Sequence, residues 1–305
     1  MVEYINKKQI QGLLPKRPDD SNKGTFGKIL NIAGSRNYTG AAYLSSLAAL
    51  KIGAGYVTLA CPKSISPIIA SMLPEVTFIP LEETEIGSIN NNNSIDNLYT
   101  YNVLSVGCGI TTNDKTREFA FKIINELNRN QKVIIDADGI NILANHKGEI
   151  SLKNAIITPH PKELSRLLNV SVEEIITNRE KYARITSQTY ECITVLKGHN
   201  SIVTNGEKIF INSSGSSALA KAGTGDVLTG VIAGLLAQKM RPFEAAILGT
   251  FLHGLAGDYA EDSLTKYSVL ASDVIENIPN AINDILIEER NVTRKNKRTS
   301  TKNKR

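Results

Sequence analysis

The chain predicts an α/β fold in one large domain, built on a mostly parallel sheet with helices on both faces. Three observations carry this. The apolar runs are short, rich in Ile, Val and Leu, and nearly continuous, which fits strands buried on both faces. Strand, loop, helix and strand succeed one another along most of the chain. Gly, Pro and polar residues close run after run, as strand ends require.

In order, residues 28–33 read as a strand stopping at Gly34-Ser35, and residues 40–52 carry Ala, Leu and Tyr at helical spacing. Residues 56–60 form a strand closed by Pro62, and residues 103–106 another that stops at Gly107-Cys108-Gly109. A helix over 115–128 leads to a strand over 132–135, and 155–158 and 192–196 repeat the strand pattern. Residues 201–204 and 208–211 flank Asn205-Gly206, a two-residue hairpin signal. From Asp226 the chain turns helical, over 226–238, 242–258 and 271–287. No internal repeat or interdomain linker appears, so residues 1–289 are expected to form one domain.

Composition narrows the function classes. The chain has 305 residues, 41% apolar and 21% charged, the balance of a globular protein with a sizeable core. No run of about 18 uncharged apolar residues suggests a membrane span, and the N-terminus lacks a secretory pattern. Three separated cysteines (Cys61, Cys108, Cys192) show no metal-ligand spacing, which points to a reducing, cytoplasmic setting. Eight of the cations lie from Arg290 onward; without them the net charge of +5 becomes −3. Residues 290–305 are therefore expected to be a basic, disordered tail, and nucleic-acid binding is poorly supported as the main function.

Ligands of open parallel sheets bind at the carboxyl ends of the strands. Those ends carry Gly34 to Gly40, Gly107-Cys108-Gly109, Asp136-Ala137-Asp138, Pro159-His160-Pro161-Lys162-Glu163 and Lys197-Gly198-His199. The strongest signal is Ala222-Gly223-Thr224-Gly225-Asp226, opening an apolar helix. Two glycines around Thr224 let N–H groups converge, and a helix N-terminus attracts anions. Asp226 has two readings here. It is an N-cap satisfying a free N–H, or a base that takes a proton from a substrate hydroxyl beside an anion hole. His160 likewise reads as a rigid-turn residue or a ligand contact, Asp136 and Asp138 as turn caps or metal-serving carboxylates with the cap favoured for Asp136, and Lys197 as a surface charge or a ligand contact. Cys108 and Cys192 read as small core residues; His146 and His253 carry no role. No Walker loop occurs.

The Gly-Thr-Gly-Asp loop resembles the anion-hole-and-base element of ribokinase-like enzymes. Within that superfamily the chain resembles the ADP- or ATP-dependent NAD(P)H-hydrate dehydratases. The likeness runs in order through residues 28–35 with Tyr38-Thr39-Gly40-Ala41, Gly107-Cys108-Gly109, Asp136-Ala137-Asp138 with Asn141, Thr158-Pro159-His160-Pro161 with Glu163, and Lys197-Gly198 with 219–228. Departures are Gly107-Cys108-Gly109-Ile110-Thr111, where many relatives read Gly-Pro-Gly-Leu-Gly, and Ser216-Ser217 in place of Asn-Pro.

The resemblance implies a ribokinase-like three-layer α/β/α sandwich. It implies repair of the S epimer of hydrated NADH or NADPH: the ring hydroxyl is phosphorylated from ADP, or less readily ATP, and phosphate is then eliminated. Asp226 would be the base and touch the substrate, with Gly223, Thr224 and Gly225 forming the N–H cradle. Lys197, Gly198, His199, Asn200 and Ser201 would line the AMP portion of the nucleotide, with Gly225 beside it. Ala41, Gly109 and His160 would contact the hydrated dinucleotide, and Asn141 and Glu163 would lie near phosphate and Mg²⁺. A homo-oligomer, a tetramer by family expectation, and an epimerase on a separate chain are implied as partners. Two rival readings remain: a vitamin-precursor or sugar kinase of the same fold, and a polyanion-binding protein acting through the tail.

Overall fold

In the computed structural model, residues 2–128, 130–145, 152–153 and 155–302 are described, with the side chains of 8 and 288–302 left aside. His146 lies outside the described residues. The strands are β1 (Val2–Ile5), β2 (Lys28–Ile32), β3 (Tyr56–Pro62), β4 (Thr77–Leu81), β5 (Val103–Val106), β6 (Lys132–Ile135), β7 (Ile156–Ile157), β8 (Ile193–Leu196), β9 (Ile202–Thr204) and β10 (Ile209–Asn212). The helices are α1 (Lys7–Ile10), α2 (Thr39–Lys51), α3 (Ser66–Met72), α4 (Asp114–Asn125), α5 (Asp138–Asn145), α6 (Pro161–Leu168), α7 (Val172–Thr177), α8 (Arg179–Tyr190), α9 (Thr224–Ala237), α10 (Pro242–Leu264) and α11 (Ala271–Lys302).

One sheet runs in the order β1-β10-β9-β8-β7-β6-β5-β2-β3-β4. Only the β8-β9 and β9-β10 pairings are antiparallel among the described residues. The strands bury both faces, as their continuous apolar character predicts. In β2, Ile29 faces the core shared with α2, α9, α10 and α11, while Leu30 and Ile32 face the core shared with α4, α5, α6 and α8. The result is the expected three-layer α/β/α sandwich.

Two edge strands were not expected. β4 contains Pro80, tolerated because an edge strand has one unpaired side. β1 is four residues long, exposes Val2 and Tyr4, and pairs in parallel with β10. The β9–β10 connection is a four-residue loop, 205–208, rather than two. Asn205 Oδ1 accepts from the N–H groups of Glu207 and Lys208 and closes an Asx-type turn. The backbone of α11 carries on through most of the basic segment, where composition predicted disorder. No Gly or Pro follows Pro279 in that segment, and extending a docked helix costs less than starting one.

From β2 the chain steps outward to β3 and β4, then returns to the far side of β2 for β5 and onward to β8. That reversal leaves a crevice beyond the carboxyl ends of β2 and β5. Helix α9 spans the same region, packed closely on α2. At Gly230 a Cβ would sit 2.2 Å from the Ser45 carbonyl oxygen, so only glycine permits this approach. Among the described residues, no helix is long and apolar enough to cross a membrane.

Candidate active site

The ends of β6 and β8 bring together Asp136 and Lys197, 61 residues apart in sequence. Lys197 Nζ lies 2.6 Å from Asp136 Oδ1 and 3.8 Å from Glu163 Oε2. Thr229 of α9 donates to Asp136 Oδ2 at 2.7 Å. Asp136 is thus fully engaged inside the protein, and Lys197, whose side chain is 18% exposed, is a half-buried cation rather than a surface charge. Burial works against the ammonium, but the Asp136 and Glu163 carboxylates outweigh it and hold its pKa above the usual lysine value. Its Nζ reaches to within 3.5 Å of where a side chain on Gly225 would begin, so its charge reaches the start of α9.

Helix α9 starts after Gly223, whose φ of 93° is left-handed; a Cβ there would also sit 2.7 Å from Leu44 Cδ1. Thr224 turns its hydroxyl back onto the carbonyls of Leu219 and Lys221, so this side chain shapes the loop. The N–H groups of Gly223, Gly225 and Asp226 have no partner within the protein among the described residues. Free N–H groups at the positive end of a helix dipole are the arrangement that suits an anion. Asp226 caps none of these N–H groups, so the N-cap reading fails at this helix.

Burial, reinforced by Asp136, pushes the Asp226 pKa up to about 6. The nearby Cys108 thiol opposes that rise. Cys108 is therefore both buried and close enough to the candidate base to feel its charge; burial, then Asp226 and Asp136, drive its own pKa well up. The core assignment for Cys108 described only half of its setting.

On the crevice side, Ala41 and Gly109 meet. A Cβ on Gly109 would lie 2.8 Å from the Ala41 Cβ and 2.7 Å from that of Tyr38. His160 caps α6: its Nδ1 accepts from the N–H groups of Lys162 and Glu163 at 3.1 and 3.2 Å, which puts its proton on Nε2. Burial and Lys197 lower its pKa. Its side chain remains 45% exposed, so the ring caps the helix and still presents a face to solvent.

Glu163 accepts from the His160 N–H at 2.7 Å, and burial pushes its pKa up to about 7 against the pull of Lys197. Asn141 Oδ1 accepts from Arg166 at 2.8 Å. Among the described residues, no group of three or more His, Cys, Asp or Glu is arranged to hold a metal ion. Mg²⁺ keeps several waters and uses one or two carboxylates plus substrate phosphates. A single buried carboxylate such as Glu163 fits that habit; Asn141, facing a guanidinium, fits it less well.

A cavity of about 410 Å³ opens beside Gly225. Lys197, Gly198, His199, Asn200 and Ser201 line one wall. The opposite wall comes from the 212–220 segment, where the resemblance marked Ser216-Ser217 and the stretch from Leu219, and from α10, which no sequence motif marked. His253 belongs to that wall: its Nε2 lies 2.9 Å from the Thr224 carbonyl, and burial lowers its pKa to about 4, so it stays neutral and donates. Its sequence context, an apolar helix, gave no sign of this. Ser216, in the segment that departs from the usual Asn-Pro, hydrogen-bonds Glu261.

The family model for NAD(P)H-hydrate dehydratase matches residues 29–280. A bifunctional NAD(P)H-hydrate repair enzyme of Dictyoglomus turgidum is 37% identical over 277 residues, covering 89% of this chain and 53% of that protein. This chain thus spans about half the length of that relative. An ADP-dependent (S)-NAD(P)H-hydrate dehydratase of Neisseria meningitidis is 34% identical over 81% of each chain. The crystal structure of the ADP/ATP-dependent NAD(P)H-hydrate dehydratase of Bacillus subtilis, co-crystallised with ATP and Mg²⁺, aligns with a TM-score of 0.81 at 27% identity. It covers 93% of this chain and 99% of that one. With a family model that matches residues 29–280 and a relative 34% identical over 81% of each chain, the chain belongs to the NAD(P)H-hydrate dehydratase family.

Proposed function

We propose that the chain restores NADH and NADPH from the S epimer of their hydrates, using ADP, or less readily ATP, as phosphoryl donor. The observation that carries this is the Asp226 carboxylate at the anion hole of α9, with the cavity opening beside Gly225. In this reading Asp226 takes the proton of the ring hydroxyl, and the hydroxyl oxygen attacks the terminal phosphorus of the nucleotide. The phosphorus–oxygen bond to the leaving nucleotide breaks, giving AMP from ADP. The ring nitrogen then helps expel phosphate, and loss of a proton from the adjacent carbon restores the double bond.

The free N–H groups of Gly223 and Gly225 steady the transferring phosphoryl group, with the Lys197 ammonium nearby. Ala41, Gly109 and His160 border the hydrated ring. Mg²⁺ would be held by nucleotide phosphate oxygens with Glu163, and would supply charge neutralisation there. Asn141 is a ligand only if it releases Arg166.

Three buried free cysteines support a reducing, cytoplasmic setting. A homo-oligomer, and an epimerase acting alongside on the other epimer, complete the reading. Turnover of hydrated NADH with purified protein tests it. Restored NADH that depends on nucleotide and is lost on chelating Mg²⁺ supports the reading. A stable phosphorylated product from a vitamin precursor or sugar, with the hydrate untouched, overturns it in favour of a kinase.

A further inference from the structure

Arg179, the first residue of α8, lies outside every motif and every role given above. Its guanidinium reaches three carbonyls of the loop that follows β8. Nη1 donates to His199, and Nη2 reaches Leu196 at 3.3 Å and Lys197 at 3.5 Å. The fork also crowds Gly198, where a Cβ would sit 3.1 Å from Nη2. That loop is bent sharply, with φ of 140° at Gly198 and 54° at Asn200.

A trans peptide unit points its N–H opposite to its C=O. With the carbonyls of Leu196, Lys197 and His199 turned onto Arg179, the N–H groups of Lys197, Gly198 and Asn200 point away from it. The first bonds the Pro159 carbonyl at 2.8 Å. The other two have no partner within the protein among the described residues, and both residues line the cavity.

We propose that Arg179 is the positioning residue of the nucleotide pocket. By gathering three carbonyls on its own side, it leaves the N–H groups of Gly198 and Asn200 facing the nucleotide's polar, anionic portion. This rests on the reading of the cavity as the nucleotide site. A planar fork with several donors suits the task, and a lysine ammonium would not span the same carbonyls.

The test is titration of ADP and ATP into wild type, Arg179→Lys and Arg179→Met, with steady-state kinetics of each. Losing charge-assisted hydrogen bonds that hold the loop should weaken nucleotide binding about tenfold or more in Arg179→Met, and less in Arg179→Lys. KM for the hydrate, and kcat at saturating nucleotide, should stay within about twofold. Unchanged nucleotide affinity in folded Arg179→Met, with wild type binding normally, overturns the positioning role alone. Equal losses toward both substrates also overturn it, since they mark general damage to the fold. A wild type that binds neither nucleotide overturns the reading of the cavity, and the proposal with it. If Arg179→Met does not fold, Arg179→Lys decides by the same comparison.

Discussion

Asp226 is held where its charged and neutral forms differ little in free energy near neutral pH, which suits a base that must accept a proton and release it. kcat/KM should therefore fall as pH drops through about 6, and a pH–rate profile checks this. Replacing the carboxylate by an amide in Asp226→Asn should lower kcat about 10²–10⁴-fold while nucleotide still binds. The same variant should be more stable than wild type at about pH 8. The native state binds the proton more tightly than the unfolded chain does, so ionising Asp226 between 3.8 and about 6 works against folding. The gain is at most about 3 kcal/mol and should vanish below about pH 4, where both states are protonated; thermal melts at the two pH values read it.

The Asp136–Lys197 bridge sits beside that base. Lys197→Met strands a buried carboxylate and should cost about 3–5 kcal/mol, much of it regained in Lys197→Met/Asp136→Asn, as denaturant titrations would show. The sequence named Asp226 and Lys197 as candidates, and weighed Asp136 as a turn cap against a metal-serving carboxylate, not as a partner of Lys197. Residues 61 apart carry no local sign of their pairing, and Cys108 gave none of facing Asp226.

At the scale of elements, α9 carries the site and α2 fixes α9. Gly230→Ala drives a methyl into the Ser45 carbonyl, so the two helices must part. A loss of about 1–3 kcal/mol is expected, read as a lower midpoint in denaturant. Strands β2, β5 and β6 were legible because a strand buried on both faces shows a continuous apolar run. Edge strands β1 and β4 were not, since half of their residues face solvent and Pro80 argues against a strand. The α10 part of the cavity's far wall escaped for a related reason: it is the buried flank of an apolar helix, where His253 sits among apolar neighbours without a motif.

For the whole molecule, the sheet order places one crevice over β2 and β5, and every motif in the resemblance lies at or near that edge. The described residues that line the cavity or meet Asp136 all lie outside the basic segment, so deleting residues 290–305 should leave kcat and KM within about twofold. A large loss of turnover would tie the tail to the site. The central claim is nucleotide-driven repair of a hydrated dinucleotide at Asp226. Its most direct test follows the near-ultraviolet absorbance of the dihydropyridine as wild type and Asp226→Asn act on hydrated NADH with Mg²⁺ and ADP or ATP. The account predicts a rise that requires nucleotide in wild type and nearly disappears in Asp226→Asn. A folded wild type that gives no rise with either nucleotide, or a variant as fast as wild type, would contradict it.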